Sequence, residues 1–281
     1  MNTDKPEVRV AILDLYEGVA NEGMRGFREI LGRYKVQHNL DLTYQIFDVR
    51  LKGQVPDTSF DVYISSGGPG SPLDSEGTEW EKKYFRLIDK LEAHNKQAGT
   101  IKKHVFFVCH SFQLMCRKYR LGDINLRRSA SFGILPVHMT GAGNNEPVFN
   151  GLANPFYTVD SRSWQVVNPD MSRFKELGME ILALEKERPY VDLPRAIMAI
   201  RFNDYFFATQ FHPEADAHGM SVMLQREDKK EDVIREHGEG KYREMLERLE
   251  DPDKIILTQN TIIPNFLDEA ILSYQRVDIG E

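Results

Sequence analysis

The sequence predicts an α/β fold, a mainly parallel sheet with helices on both faces, and three observations carry that expectation. Short apolar runs of strand length recur along the chain, and stretches with helical spacing separate them. Several of those runs end abruptly in glycines or in reactive side chains. In sheets of this kind ligands gather beyond the carboxyl ends of the strands, so the run ends are where function is sought.

Val8 to Leu15 reads as the first strand, and Gly23 to Leu31 as a helix presenting Met24, Phe27, Ile30 and Leu31 on one face. Leu42 to Val49 alternates as a second strand, and Phe60 to Ser65 is a short third. That third run enters Ser65-Ser66-Gly67-Gly68-Pro69-Gly70-Ser71-Pro72, whose glycines let a backbone approach a ligand closely and expose N–H groups able to stabilise an oxyanion. Such sequences are more often plain surface turns, and this one lacks the lysine and spacing of a phosphate-binding loop. Trp80 to Ala93 follows as a charged helix with Tyr84, Leu87, Ile88 and Leu91 inward.

The run His104 to Val108 stops at Cys109, and helical spacing begins directly after it. A strand-to-helix turn of that kind lifts a side chain above the sheet edge, and the helix N-terminus favours thiolate over thiol. A lone cysteine at a strand end is usually structural, so Cys109 gains meaning only from its company. Gly133 to Asn150 reads as short antiparallel strands and loops. Phe156 to Val167 has strand propensity interrupted by the polar cluster Asp160-Ser161-Arg162-Ser163, which either covers a sheet edge or holds a charged small molecule. Glu180 to Glu185 and Ala196 to Phe202 are two further strands.

Tyr205 to Gln210 is a strongly apolar strand running into Phe211-His212-Pro213-Glu214. Proline keeps His212 out of helix, and Glu214 is close enough to fix the imidazole tautomer, leaving its other nitrogen to face a thiol. Those are the base and orienter of a Cys-His-Glu triad. Beyond them the charge-dense stretch Gln225 to Lys254 spaces Val233, Ile234, Tyr242, Met245, Leu246 and Leu249 as one or two amphipathic helices broken near Gly238 and Gly240. We read it as a charged helical insertion over residues 215–260 of a single domain spanning 1–281; it is either a solvated elaboration, the plainer reading, or a lid or docking element.

At 281 residues, 41% hydrophobic and 28% charged, the chain can bury a sizeable core. A formal charge of -7 without a local basic patch argues against nucleic acid or an anionic membrane as partner. The polar opening Met1 to Glu7 leads into a strand rather than a leader or membrane span, so a cytoplasmic location is expected. The two cysteines, Cys109 and Cys116, fall along one predicted helix, poorly placed for a disulfide or a zinc site; no metal and no cofactor are expected.

Taken in order, the Gly67-Gly68-Pro69-Gly70 loop, the Cys109 turn with Gln113 four residues on, and Gln210-Phe211-His212-Pro213-Glu214 resemble the class I, triad-type glutamine amidotransferases. The resemblance covers Val8 to Glu214, and Ile263 to Leu267 is similar to that family's closing helix. It implies a flavodoxin-like fold and hydrolysis of the glutamine side-chain amide, the ammonia passing to a synthetase partner. It further implies Cys109 as nucleophile, His212 as base and acid, and Glu214 as orienter. The oxyanion hole falls to the N–H groups of Gly68 and His110, and substrate binding to Gly67, Gly70, Gln113, Ser161 and Arg162. Phe107 and Ser111 stand where the family carries glycines, so Phe107 demands extra room or a different local path. Arg162 and Trp164 stand where the family often has smaller or differently charged groups. Two alternatives stay open: the same triad serving as a γ-glutamyl hydrolase or homoserine acyltransferase-like enzyme, and a non-catalytic module that keeps the fold.

Overall fold

The computed structural model describes residues 5–249 and 251–277. Residues 1–4 of the polar opening, Glu250 of the insertion and residues 278–281 lie outside the described residues. The first half alternates strands and helices: β1 (Glu7–Asp14), α1 (Gly23–Gln37), β2 (Asp41–Asp48), α2 (Val49–Lys52), β3 (Val62–Ser65), α3 (Glu79–Asn95), β4 (His104–Val108) and α4 (His110–Tyr119). The second half brings β5 (Asp123–Met139), β6 (Phe156–Val167), α5 (Met171–Leu177), β7 (Glu180–Glu185), β8 (Ile197–Asn203) and β9 (Phe206–Thr209). Four helices close the chain: α6 (Ala217–Gln225), α7 (Glu227–His237), α8 (Glu239–Leu249) and α9 (Leu257–Val277).

Among the described residues the strands form one nine-stranded sheet in the order β2-β1-β3-β4-β9-β8-β7-β5-β6. The half from β2 to β9 is parallel, and β8, β7, β5 and β6 extend it by antiparallel pairing. Alternation along the central strands sends Val10, Ile12, Ile64, Phe106 and Val108 to the face covered by α1 and α9. Ala11, Leu13, Tyr63, Val105 and Phe107 go to the opposite face, under α3 and α4. The period of two thus supplies both faces of the sheet with apolar contacts, which is why these strands read as continuous apolar runs. With β1, β3, β4 and β9 parallel and adjacent, their carboxyl ends open on one edge.

Several local expectations are corrected. The stretch Gly133 to Asn150, expected as short antiparallel strands and loops, divides at Met139. Its first part is the end of the 17-residue antiparallel β5, which starts at Asp123 and pairs with β6 across a bulge between Leu126 and Ser131, and the rest is loop with 3-10 turns at Gly143–Asn145 and Pro147–Phe149. The first residues of β5 are largely exposed, so no apolar alternation marks them. Nor does the polar cluster interrupt β6. Asp160 and Arg162 turn inward and pair with each other, while Ser161 and Ser163 face outward. The helices also run longer than their apolar faces predict, α1 to Gln37 and α3 from Glu79 to Asn95.

The insertion is helical, and α7 ends at Gly238, whose φ of +83° suits glycine. Met220 and Leu224 of α6, Val233 of α7, and Met245 and Leu249 of α8 form a third apolar cluster with Ile134 of β5 and Val159 of β6. The insertion therefore caps the antiparallel edge of the sheet. Asp216 at the start of α6 pairs with Arg25 of α1 at 2.5 Å and accepts from the Gly219 N–H, anchoring that cap beside the strand ends.

Candidate active site

Cys109 sits between β4 and α4 with φ +50° and ψ −97°, a conformation that costs a non-glycine residue strain. The turn is held from several sides. The Cys109 N–H donates to Thr209 O of β9 at 2.8 Å, and the Gln113 N–H to Cys109 O at 3.0 Å. Ser111, where the related family carries glycine, is fully buried; its hydroxyl donates to Ser65 O and accepts from the Val108 N–H, both at 2.8 Å. A serine here is therefore a tie between the turn and β3. Phe107 finds its room sideways: its register neighbours are Ser65 and Ala208, both small, and its ring packs on Phe202 and Phe206 at centroid distances of 6.0 and 5.9 Å. It lies on the face opposite the strand residues Phe106 and Val108, beneath α4.

His212 leaves β9 with its N–H on Val159 O at 2.9 Å, which fixes the backbone against β6. Its Nδ1 is 2.8 Å from Glu214 Oε1, and both His212 and Cys109 line the same cleft. Burial opposes protonation of this imidazole, but the Glu214 carboxylate and the Cys109 sulfur outweigh it and hold the pKa well above the ordinary histidine value. Glu214 is fully buried, and its Oε2 has no hydrogen-bond partner among the described residues.

The glycine loop closes over the same point. A methyl group on Gly67 would lie 3.0 Å from His212 Cε1, 3.3 Å from the Tyr16 hydroxyl and 3.5 Å from Cys109 Cβ. One on Gly68 would lie 2.4 Å from Leu15 O, which no side chain tolerates. Gly70 instead needs glycine for its φ of +84°. Arg50 of α2 braces this loop, donating from Nη1 to Pro69 O at 2.7 Å and to Leu15 O at 3.3 Å. His110 begins α4 with its ring buried, and desolvation followed by the Arg50 charge pushes its pKa down to about 3, so the ring is neutral.

Behind the sulfur lies an amide relay. Gln113 Nε2 donates to Gln210 Oε1 at 3.0 Å and to Trp164 O at 3.1 Å, and Gln210 Nε2 lies 3.6 Å from Cys109 Sγ. β6 passes over the site, with Ser161 O 3.8 Å from the same sulfur. Arg162 is buried, pairing with Asp160 at 3.0 Å and Glu185 at 3.4 Å, while its Nη1 has no hydrogen-bond partner among the described residues. These groups meet in a cleft of about 900 Å³ lined by Cys109, His212, Glu214, Gln113, Ser161 and Arg162, and also by Gly68 and Gly70.

The structure therefore brings all the sequence-predicted site residues together, with Gly67 against Cys109 and His212 and with the His110 N–H at the turn. It also adds three that sequence reasoning missed. Tyr16 follows β1 directly and lines the cleft; burial, then the charges of Glu214 and Cys109, keep its phenol neutral with a pKa well above the ordinary value. Its place at a central strand's carboxyl end was the available signal. Gln210 stood inside the Gln-Phe-His-Pro-Glu run without a role, and Arg50 carried no local sign at all.

A sequence model of the class-I glutamine amidotransferases matches residues 11–228. The chain belongs to that family. A search of curated proteins finds no match. Among solved structures, a glutamine amidotransferase from Thermotoga maritima superposes with a TM-score of 0.64 at 14% identity, covering 94% of this chain and 98% of that one. A putative component of GMP synthase from Thermoplasma acidophilum gives 0.55 at 15% identity, with 97% and 98% covered. The glutaminase domain of Trypanosoma brucei CTP synthase, with bound acivicin, gives 0.54 at 13%, with 74% and 86% covered. At these identities the structural likenesses speak for the fold, and the family match for the class of protein.

Proposed function

We propose that this protein hydrolyses the side-chain amide of glutamine through Cys109, His212 and Glu214, releasing ammonia for an acceptor. One observation carries the reading: Cys109 on its strained turn, the His212–Glu214 pair and the Gly67–Gly68 loop converge on a single point. His212 takes the thiol proton, and Sγ attacks the amide carbon. The oxyanion that forms lies between the N–H groups of Gly68 and His110. His212 then gives its proton to the departing nitrogen, and water cleaves the thioester to glutamate, returning the proton to Cys109. Glu214 holds the imidazole tautomer throughout.

Gln113 lines the pocket with Gln210 braced behind it, and Ser161 and Arg162 receive the substrate's α-substituents. The unpartnered Arg162 Nη1 supports a charge-assisted bond to a carboxylate. The acceptor is bound by a separate synthetase chain, and the likeness to components of GMP and CTP synthases supports that reading. Two buried free thiols suit a reducing, cytoplasmic setting. Labelling with a glutamine-like electrophile tests the assignment: one adduct per chain on Cys109, lost in His212→Ala, is the expected intact-mass result, and an unreactive Cys109 would support the non-catalytic module instead.

A further inference from the structure

The cleft is larger than one free amino acid requires. Its volume of about 900 Å³ falls near the top of the roughly 300–1,000 Å³ range that encloses drug-sized ligands. Its walls differ in character. Around the sulfur they are polar, formed by the Gly68 loop, Gln113 and Ser161. Val159, whose carbonyl accepts the His212 N–H, lines the cleft together with Phe132, Met220, Met223 and Val233, and the charged Arg226 and Asp232 flank this apolar group. The path between the two is short, because the His212 N–H is bonded to Val159 O, and Val159 packs in one cluster with Met220 and Val233.

The imidazole that accepts the thiol proton is also the group that protonates the leaving nitrogen. The leaving group therefore departs on the side of His212, which is also the side of Val159. Ammonia makes no use of apolar surface, whereas an alkyl or aryl group on the amide nitrogen does. One residue of this wall, Val233, lies outside the family match. It belongs to α7, beyond residues 11–228, and α8 supports it through Met245.

Resting on the glutaminyl-hydrolase reading above, we infer that, beside glutamine, the site takes N-substituted γ-glutamyl amides whose amine portion is apolar, seated against Phe132, Met220, Met223 and Val233. Cys109 Sγ bonds to the γ-carbonyl carbon, the C–N bond breaks, and the amine leaves with the proton held by His212. Water then cleaves the thioester to give glutamate and regenerate the thiol, with no oxidation or reduction.

The test is kcat/KM for a series of L-γ-glutamyl amides, of ammonia (glutamine itself), methylamine, butylamine and hexylamine. The expected result is a rise along the series of about three- to fourfold per methylene buried, flattened in Met223→Gln. Hydrolysis of glutamine with flat or falling kcat/KM for the longer amides overturns this inference and leaves the glutaminase reading standing. Turnover of no member overturns the inference alone when the electrophile still labels Cys109, and both readings when it does not.

Discussion

His212 Nδ1 lies 2.8 Å from Oε1 of Glu214, a carboxylate with no exposed surface. The pair is packed between β9, β6 and α1, so its geometry is set by the fold rather than by solvent. Glu214→Gln keeps the shape but removes the charge that orients the imidazole, and by analogy with other triads kcat for amide hydrolysis should fall by about 10²- to 10⁴-fold. The same change has a pH signature in stability. Because the folded pKa of His212 is raised, its pairing with Glu214 stabilises most below the ordinary histidine value of about 6.5 and is lost as pH rises through the folded value. Urea unfolding of wild type and variant should therefore show a gap that is widest between about pH 5 and 6.5 and shrinks toward alkaline pH.

The two departures from family glycines behave differently because their side chains do different things. Phe107→Ala leaves a void among Phe202, Phe206 and α4, and a loss of about 3–5 kcal/mol is expected in urea unfolding. Ser111→Ala removes a hydroxyl that ties the Cys109 turn to Ser65 O and satisfies the Val108 N–H, at a cost of about 1–3 kcal/mol. Unfolding midpoints that do not move for Phe107→Ala would mean that the ring is not packed as described.

Arg50 is a positioning residue. It touches the Pro69 and Leu15 carbonyls and pairs with Glu17 at 2.6 Å, holding the loop that offers the Gly68 N–H. Arg50→Met should lower kcat by about tenfold or more with a smaller change in KM, since an oxyanion donor acts mainly in the transition state. Arg50→Lys restores part of the loss through one of the two carbonyls. A rise in KM with kcat unchanged in both variants would assign Arg50 a role in substrate binding instead.

The parallel half of the sheet was legible because β1, β3, β4 and β9 are buried on both faces and read as unbroken apolar runs. β5 was not, since its first residues lie exposed at the antiparallel end and carry arginines and serines with no alternation to detect. The site showed the same division. Cys109, His212 and Glu214 announce themselves by ending apolar strands, and the ordered set of motifs located them. Tyr16 reaches the same point from just beyond β1, a position the strand end could have flagged, whereas Arg50 comes from α2 and only packing brings it there. Of the apolar residues beside His212, only Val233 was legible, as part of the helical spacing in the insertion, because the rest depend on how α6 and α7 dock on β5 and β6.

The most direct measurement is ammonia release from L-glutamine by the purified protein, with Cys109→Ala alongside. Wild type is expected to give stoichiometric ammonia and glutamate, and Cys109→Ala to lose activity to the uncatalysed background. Glutaminase activity retained in full by Cys109→Ala would contradict the role given to that sulfur and, with it, the central claim.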